Sequence, residues 1–202
     1  IHQANSSSSD ISFDLRLSNV TDVTLSRGPY LQNGTPDGVT VRWRTNIPTN
    51  SVVRSGTDSA NLNNTASNGS DTTEHGIVLS GLNSNTRYYY SVGDSTYTYA
   101  SGNDHYFDTS PVAGTEEFTR IWAIGDSGTA NSNAAAVRDA FISVNGGTHA
   151  DVWLMLGDNA YNDGTDSEYQ AAVFNMYPSI LRKSVRWCAG GGQEGRSADA
   201  AR

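Results

Sequence analysis

The sequence has little of several features that mark particular classes of protein. It contains a single cysteine, Cys188, which excludes an intrachain disulfide framework. Its net charge is -8 and it has no run of basic residues, so nucleic acids and anionic membranes are poor partners for it. No apolar stretch approaches the length of a membrane span. The chain begins at Ile1, which indicates a processed chain or a fragment, and we expect an extracellular or secreted protein although no signal peptide is visible in this sequence.

Hydrophobic residues are also scarce, at 36% of the chain, and the mean hydropathy is -0.49. The aromatic residues nevertheless include ten Tyr, four Trp and five Phe, a composition that favours β-rich structure. Residues 1–22 are polar and rich in serine at their start, which predicts an N-terminal leader outside the folded core.

Residues 23–112 are predicted to form an all-β domain. In GVTVRWRT, the apolar Val39, Val41 and Trp43 alternate with polar residues, as in a strand with one buried face. NTRYYYSVG shows the same alternation, and turn clusters such as NGTPDG and SNGSD lie between such segments. Short strands and turns at this spacing predict a β-sandwich.

Residues 113–187 follow a different pattern. RIWAIGDSG and DVWLMLGD each contain an apolar run without alternation, which predicts strands buried on both faces. SNAAAVRDAFISV predicts a helix with Ser132 or Asn133 near its N-cap, and DSEYQAAVFNMY predicts a second helix that Pro178 ends. This order indicates a βαβα unit with a parallel sheet.

Both predicted parallel strands end in the dipeptide Gly-Asp, which places Asp126 and Asp158 at the same edge of the sheet. Two neighbouring carboxylates repel each other unless a cation lies between them, and hard oxygen ligands suit a hard metal ion. Tyr161, three residues after Asp158, can reach the same ion, and a phenolate binds ferric iron well. The competing interpretation is that each Asp caps the helix or turn that follows it.

At this point the sequence resembles a known family. GDSG followed by GDNAY is similar to the first two motifs of the purple acid phosphatases, in the metallophosphoesterase superfamily. Most of that superfamily has Asp-x-His in the first motif, whereas Gly128 stands in the position of that histidine, as in the purple enzymes. TLSRGPYLQNGTPDGVTVRWRT resembles the family's fibronectin type III-like N-terminal domain. The resemblance implies a β-sandwich followed by the start of an α/β metallophosphoesterase domain.

The resemblance also implies a function and roles for particular residues. Asp126 is expected to bind Fe3+, Tyr161 to give that ion its charge-transfer colour, and Asp158 to bridge the ferric ion and a second, divalent ion (Fe2+, Zn2+ or Mn2+). The expected reaction is the hydrolysis of phosphate monoesters at this dinuclear centre under acidic conditions. The substrate would be a phosphate monoester, and no nucleic-acid partner or membrane span is expected.

Some ligands of the family's site have no counterpart in this sequence. GNH and GHxH motifs are lacking, and the four histidines, at positions 2, 75, 105 and 149, are predicted to be surface or loop residues. Residues 188–202 are rich in Gly, Ala and Arg, which suggests a frameshift or truncation. We therefore expect an incomplete site and little or no activity from this chain alone.

Two alternative functions remain open. In the first, the chain is a non-catalytic fibronectin-like binding or spacer module with a remnant catalytic domain. In the second, GDSG surrounds a nucleophilic serine as in trypsin-like proteases. The protease interpretation is weak, because Ser127 lies between a predicted buried strand and a helix and GDSGTANS does not continue as in those enzymes.

Overall fold

The computed structural model describes residues 22–188. The predicted leader and tail therefore lie outside the described residues, except for Asp22 and Cys188. Within residues 22–188, no helix combines the length and the apolar character needed to cross a bilayer. The strands are β1 (Leu25–Thr35), β2 (Gly38–Gly56), β3 (Asn64–Ser80), β4 (Arg87–Gly93), β5 (Thr98–Ala100), β6 (Tyr106–Asp108), β7 (Ile121–Ile124), β8 (Val152–Met155) and β9 (Val185–Cys188). The helices are α1 (Ser132–Val144), α2 (Asp166–Tyr169), which continues into a π-helical turn (Gln170–Phe174), and α3 (Pro178–Leu181).

The first six strands form a curled antiparallel sheet organised around the long strand β2. Strand β3 pairs with β2 on both sides of a register shift between Arg44 and Thr49. On the other edge of β2, its first half pairs with β1 and its second half pairs with β4. The register shift spans Pro48, whose missing N–H cannot contribute to a strand ladder. Strand β2 thus pairs with β1 along its first half and with β4 along its second half, and the sheet curls around one core.

The core of this part confirms the predicted alternation. Val39, Val41 and Trp43 are buried, as are Tyr88 and Tyr90 on the second predicted strand. They belong to one cluster with apolar side chains from β3 and β6. Burial of each large apolar side chain contributes roughly 1.5–3 kcal/mol to stability, so this cluster is the main source of stability here.

A tyrosine corner fixes the approach to β4. The hydroxyl oxygen of Tyr88 accepts a hydrogen bond of 3.0 Å from the backbone N–H of Asn83, five residues earlier. Leu82, at the start of the same corner, packs against the core of the curled sheet. This arrangement is a recurrent feature of β-sandwiches.

The second half of the chain adds parallel strands to the same sheet. Strands β7, β8 and β9 are parallel and adjacent, and β9 also pairs in parallel with β1, where Leu31 lies opposite Val185. The prediction of a parallel sheet with a helix between its first two strands is therefore confirmed. Strand β1 contributes to both halves, because Leu31 packs in the core of the curled sheet while its neighbour Tyr30 packs with the aromatic cluster under β8. The domain boundary near residue 113 stays a prediction.

The prediction that both apolar strands are buried on two faces was wrong for β7. Ile121 is 56% exposed, and Ala123 on the same face of β7 is exposed as well, so the described residues leave this face of the last strand largely uncovered. In β8, Trp153 and Met155 are fully buried, whereas Val152 and Leu154 on the other face are half-buried. An apolar run indicates a strand, but it does not reveal whether a layer covers each face.

The helices differ in detail from the predictions. The N-cap of helix α1 is Asn131, one residue before the predicted cap position. Oδ1 of Asn131 accepts hydrogen bonds from the N–H groups of Asn133 and Ala134. The second predicted helix ends with a π-helical turn, and Pro178 occupies the first turn of the separate helix α3. A proline is favourable at that position because its missing N–H would be unpaired there in any case.

Candidate metal centre

The two Gly-Asp corners lie side by side at the carboxyl edge of the parallel strands. Ile124 and Met155, near the ends of β7 and β8, are paired in register. The loops that follow the two strands therefore start at the same level of the sheet edge. The N–H of Asp126 in the first loop donates a hydrogen bond of 3.2 Å to the carbonyl oxygen of Gly157 in the second. The predicted proximity of Asp126 and Asp158 follows from this pairing.

Neither aspartate caps a helix. Helix α1 is capped by Asn131 and α2 by Thr165, so the capping interpretation of Asp126 and Asp158 does not hold for these helices. Both aspartates instead have a left-handed backbone, each with φ of 53°. That conformation is uncommon for residues other than glycine, although aspartate and asparagine adopt it more readily than others. Two such residues at one sheet edge indicate that the backbone is shaped to present their side chains.

The phenol of Tyr161 joins the two carboxylates. Its hydroxyl lies 2.8 Å from Oδ1 of Asp126 and 2.9 Å from Oδ2 of Asp158, with geometry for donation to either. The hydrogen bond to Asp126, partial burial and the hydrogen bond to Asp158 together raise the pKa of Tyr161 above its usual value. Without a bound metal ion the phenol is therefore protonated, and its hydroxyl can donate its single proton in a hydrogen bond to either carboxylate.

Glu168 orders the segment that carries Tyr161. Its carboxylate accepts hydrogen bonds from the N–H groups of Asn162, at 2.7 Å, and Thr165, at 2.8 Å, in a capping box that begins α2. The N–H of Tyr161 donates to the carbonyl oxygen of Gly128 at 3.0 Å. Glu168 was not among the predicted site residues, although the capping-box spacing from Thr165 to Glu168 was a readable signal for it.

Gly128 lets the two corner loops pack against each other. Its N–H donates a hydrogen bond of 2.9 Å to the carbonyl oxygen of Asp158. A Cβ atom at residue 128 would stand 2.5 Å from the N atom of Ala160 and 2.7 Å from that same oxygen. Both neighbours are backbone atoms, so a side chain here would force the loops apart. The close packing of the two loops thus requires a glycine at position 128.

A cleft of about 480 Å³ lies beside Tyr161. Its lining includes Thr129, Asn162, Ser167 and Glu168, and no Lys, Arg or His is among the described residues that line it. Together with Asp126 and Asp158 at its side, the site is negatively charged in the absence of bound cations. A phosphate ester would be repelled by these charges unless metal ions were present.

The histidines of the described residues do not complete this site. The prediction of surface or loop positions holds for His105 and His149 only as loop residues, and it was wrong for His75, which lies in β3; all three are at least nine-tenths buried. His75 stacks on Trp43 in the core of the curled sheet, and the other two lie beside aspartates away from this edge. Ser127 is 5% exposed, so it is not presented as a protease nucleophile would be.

Comparison with known families identifies the first half of the chain. The model of the family described as "Purple acid Phosphatase, N-terminal domain" matches residues 27–113. The chain carries a purple acid phosphatase N-terminal domain. This domain contains the curled antiparallel sheet, and the candidate metal centre follows it in the sequence.

Solved structures resemble this chain at low sequence identity. A structure titled "Structure of PhoD" has 13% identity and a TM-score of 0.57, and the match covers 80% of this chain and 38% of that one. An fn3 domain of the human collagen alpha-1(XX) chain has 17% identity and a TM-score of 0.35, over 51% of this chain and 99% of its own. The first likeness supports the fold across both halves. None of the curated proteins matches the chain.

Proposed function

We propose that this chain belongs to a metal-dependent acid phosphatase that hydrolyses phosphate monoesters, and that the edge formed by Asp126, Asp158 and Tyr161 supplies metal ligands. In this proposal, residues 23–112 are a fibronectin type III-like sandwich and residues 113–187 begin the metallophosphoesterase domain. One observation carries the proposal: a single phenol oxygen lies within hydrogen-bonding distance of both carboxylates. The purple acid phosphatase N-terminal domain immediately upstream supports it.

The donor atoms fit a ferric ion with a divalent partner. Two carboxylates and a phenol are hard oxygen ligands, and the phenol oxygen lies within 2.9 Å of an oxygen of each carboxylate. Only Oδ2 of Asp158 contacts the phenol, so its other oxygen is available to a second ion, which we propose to be Fe2+, Zn2+ or Mn2+. When bound, such ions polarise the ester and lower the pKa of a bound water.

The phenol of Tyr161 must be deprotonated before it can bind a metal ion as a phenolate. Tyr161 is protonated in the metal-free chain, since its pKa is raised, and it must lose that proton to act as a phenolate ligand. The loop held by Glu168 keeps the phenol oxygen in place while the proton leaves. Metal uptake should therefore release protons and strengthen as the pH rises through the mildly acidic range.

The cleft beside Tyr161 suits the ester once cations are present. Thr129, Asn162 and Ser167 offer polar groups there, but no described lining residue is cationic. Recognition of a phosphate in this cleft thus depends on the metal ions rather than on the surrounding side chains. Inorganic phosphate should bind to the metal-loaded chain and not to the metal-free chain.

Metal uptake by paired variants tests the proposal. The chain is dialysed against ferric citrate with Mn2+, and bound metal is counted by atomic absorption for the unchanged chain, Asp158→Asn and Asp163→Asn. Asp163 is an exposed aspartate of the same loop and serves as the matched control. We expect uptake to fall in Asp158→Asn and to persist in Asp163→Asn. Equal uptake in both variants would overturn the proposed site.

Hydrolysis of para-nitrophenyl phosphate by the same samples separates catalysis from binding alone. Hydrolysis at acidic pH that is lost in Asp158→Asn would support catalysis at this edge. Because the sequence has no GNH or GHxH motif, we expect little or no hydrolysis from this chain alone. Metal uptake without hydrolysis therefore fits an incomplete phosphatase site as well as the alternative function, a non-catalytic binding or spacer module that keeps part of a catalytic domain.

A further inference from the structure

A second group of metal-ligating side chains lies at the opposite end of β8 from Asp158. Asp108 ends β6 in the sandwich, while His149 and Asp151 lie on the segment that enters β8. One ligand atom from each residue lies within 4.8 Å of the others. His149 Nε2 is 3.2 Å from Oδ2 of Asp108 and 3.8 Å from Oδ1 of Asp151.

The histidine is buried and directed at the two carboxylates. His149 is 8% exposed, and its Nδ1 lies 3.5 Å from the hydroxyl of Tyr106, whose ring it meets edge to face. Its Nε2 has no partner with hydrogen-bond geometry among residues 22–188, although two carboxylate oxygens lie close to it. Buried polar atoms rarely remain unsatisfied, so this nitrogen points to a ligand that lies between it and the carboxylates.

The carboxylates keep lone pairs for such a ligand. The guanidinium of Arg87 donates one hydrogen bond of 2.9 Å to each oxygen of Asp108. Oδ2 of Asp151 accepts the N–H of Arg120, which leaves Oδ1 facing His149. Each carboxylate oxygen can accept a second interaction.

The charges around the group favour a cation. Arg87 pairs with both oxygens of Asp108, whereas Asp151 accepts the backbone N–H of Arg120 rather than its guanidinium, which donates to the carbonyl oxygen of His149. Nε2 of His149 lies 3.2 Å from Oδ2 of Asp108 and 3.8 Å from Oδ1 of Asp151, so a cation placed between these atoms would contact all three side chains.

We propose that Asp108, His149 and Asp151 bind a divalent transition metal ion, with Zn2+ as the best fit. Zinc takes nitrogen and oxygen ligands at about 2.0–2.2 Å in a tetrahedron, which places ligand atoms about 3.3–3.5 Å apart. The distances of 3.2 Å and 3.8 Å from Nε2 are close to that spacing. Asp108 and Asp151 also line a cavity of about 540 Å³, which has room for water as a fourth ligand. The ion joins the sandwich to the start of β8.

Zinc titration of paired variants tests this site separately from the edge that carries Tyr161. Each chain also carries Asp158→Asn, which weakens the other candidate site. Calorimetry then compares the otherwise unchanged chain with His149→Gln, Asp151→Asn and the control Asp104→Asn, whose carboxylate pairs with His105 instead. We expect one zinc ion per chain, an affinity about tenfold or more lower in His149→Gln and Asp151→Asn, and no loss in Asp104→Asn.

Two further readouts keep the test decisive. Zinc should raise the melting temperature of the control chain and not that of His149→Gln or Asp151→Asn, since binding to the folded state stabilises it. If both variants fail to fold, Co2+ is added to the Asp158→Asn chain, where a tetrahedral visible spectrum supports the site. Zinc affinity that is unchanged in both variants, or an octahedral cobalt spectrum without a histidine ligand, would show that His149 is held by ion pairs alone.

Discussion

Gly128 packs against the backbone of Ala160, and a Cβ atom at residue 128 would stand 2.5 Å from the amide nitrogen of Ala160. The neighbouring atoms belong to the backbone, which cannot move aside as the end of a flexible side chain can. This contact holds the loop after β7 on the loop after β8, and it thereby sets the distance from Tyr161 to Asp126.

We predict that Gly128→Ala lowers the free energy of unfolding by about 1–3 kcal/mol, because the added methyl group overpacks two backbone segments. Urea denaturation measures the change. Gly125→Ala is the matched control at the same corner, since its Cβ would meet only Leu156 Cβ at 3.6 Å, an ordinary contact. Equal stability of the two variants would show that the loops do not depend on this contact.

The ion pairs of Asp166 predict a pH-dependent stability. Asp166 accepts hydrogen bonds from Arg44 and from Arg27, whose side chain is 1% exposed. The hydrogen bond from Arg44 and the one from Arg27 together outweigh partial burial and lower the pKa of Asp166 to about 2. Because the folded-state pKa is depressed, this stabilisation is fully present above the unfolded-state pKa of about 3.9 and is lost as the pH falls towards 2.

Asp166→Asn should therefore destabilise the chain at neutral pH by roughly 2 kcal/mol. Breaking a fully buried pair costs about 3–5 kcal/mol, and we reduce that figure because Asp166 is itself partly exposed. The difference from the unchanged chain should disappear near pH 2, as followed by urea denaturation across the acidic range. Glu74→Gln is the control, because it removes an ion-pair partner of Arg44 but leaves Arg27 paired. A pH-independent effect of Asp166→Asn would contradict this assignment.

The two halves of the chain should differ in local stability. In the parallel part, Ile121 is 56% and Leu156 60% exposed, whereas Val39, Val41 and Trp43 of β2 are buried. We predict that the amides of β8 exchange hydrogen faster than those at residues 39–43, because the sheet beside β8 is covered incompletely. Native-state hydrogen exchange followed by NMR measures both sets. The same protection in both would indicate one cooperative unit.

Much of the fold could be predicted because it depends on local patterns. The alternation of Val39, Val41 and Trp43 requires one buried face, and an uninterrupted apolar run such as VWLM requires a strand in a packed sheet. The pairing of β1 with β9 could not be predicted, because no pattern in one strand states which distant strand lies beside it. The exposure of Ile121 could not be predicted either, because the sequence of one strand does not specify which elements cover its faces.

The candidate site shows a similar division. Asp126 and Asp158 could be placed at one edge because parallel strands end together. Tyr161 could be predicted to lie near them because it follows Asp158 by three residues. The contact of Gly128 with Ala160 depends on how two loops meet, which sequence spacing does not specify. Asp108 lies far along the chain from His149 and Asp151, so local patterns predicted only a loop histidine there and not the group of three.

Visible absorption of the chain loaded with Fe3+ tests the central claim most directly. If Tyr161 binds ferric iron together with Asp126 and Asp158, the loaded chain will show a phenolate-to-iron charge-transfer band. That band will be lost in Tyr161→Phe and retained in Tyr97→Phe, a change at a tyrosine that is 66% exposed. No band in the loaded chain, or a band that persists in Tyr161→Phe, would contradict the account.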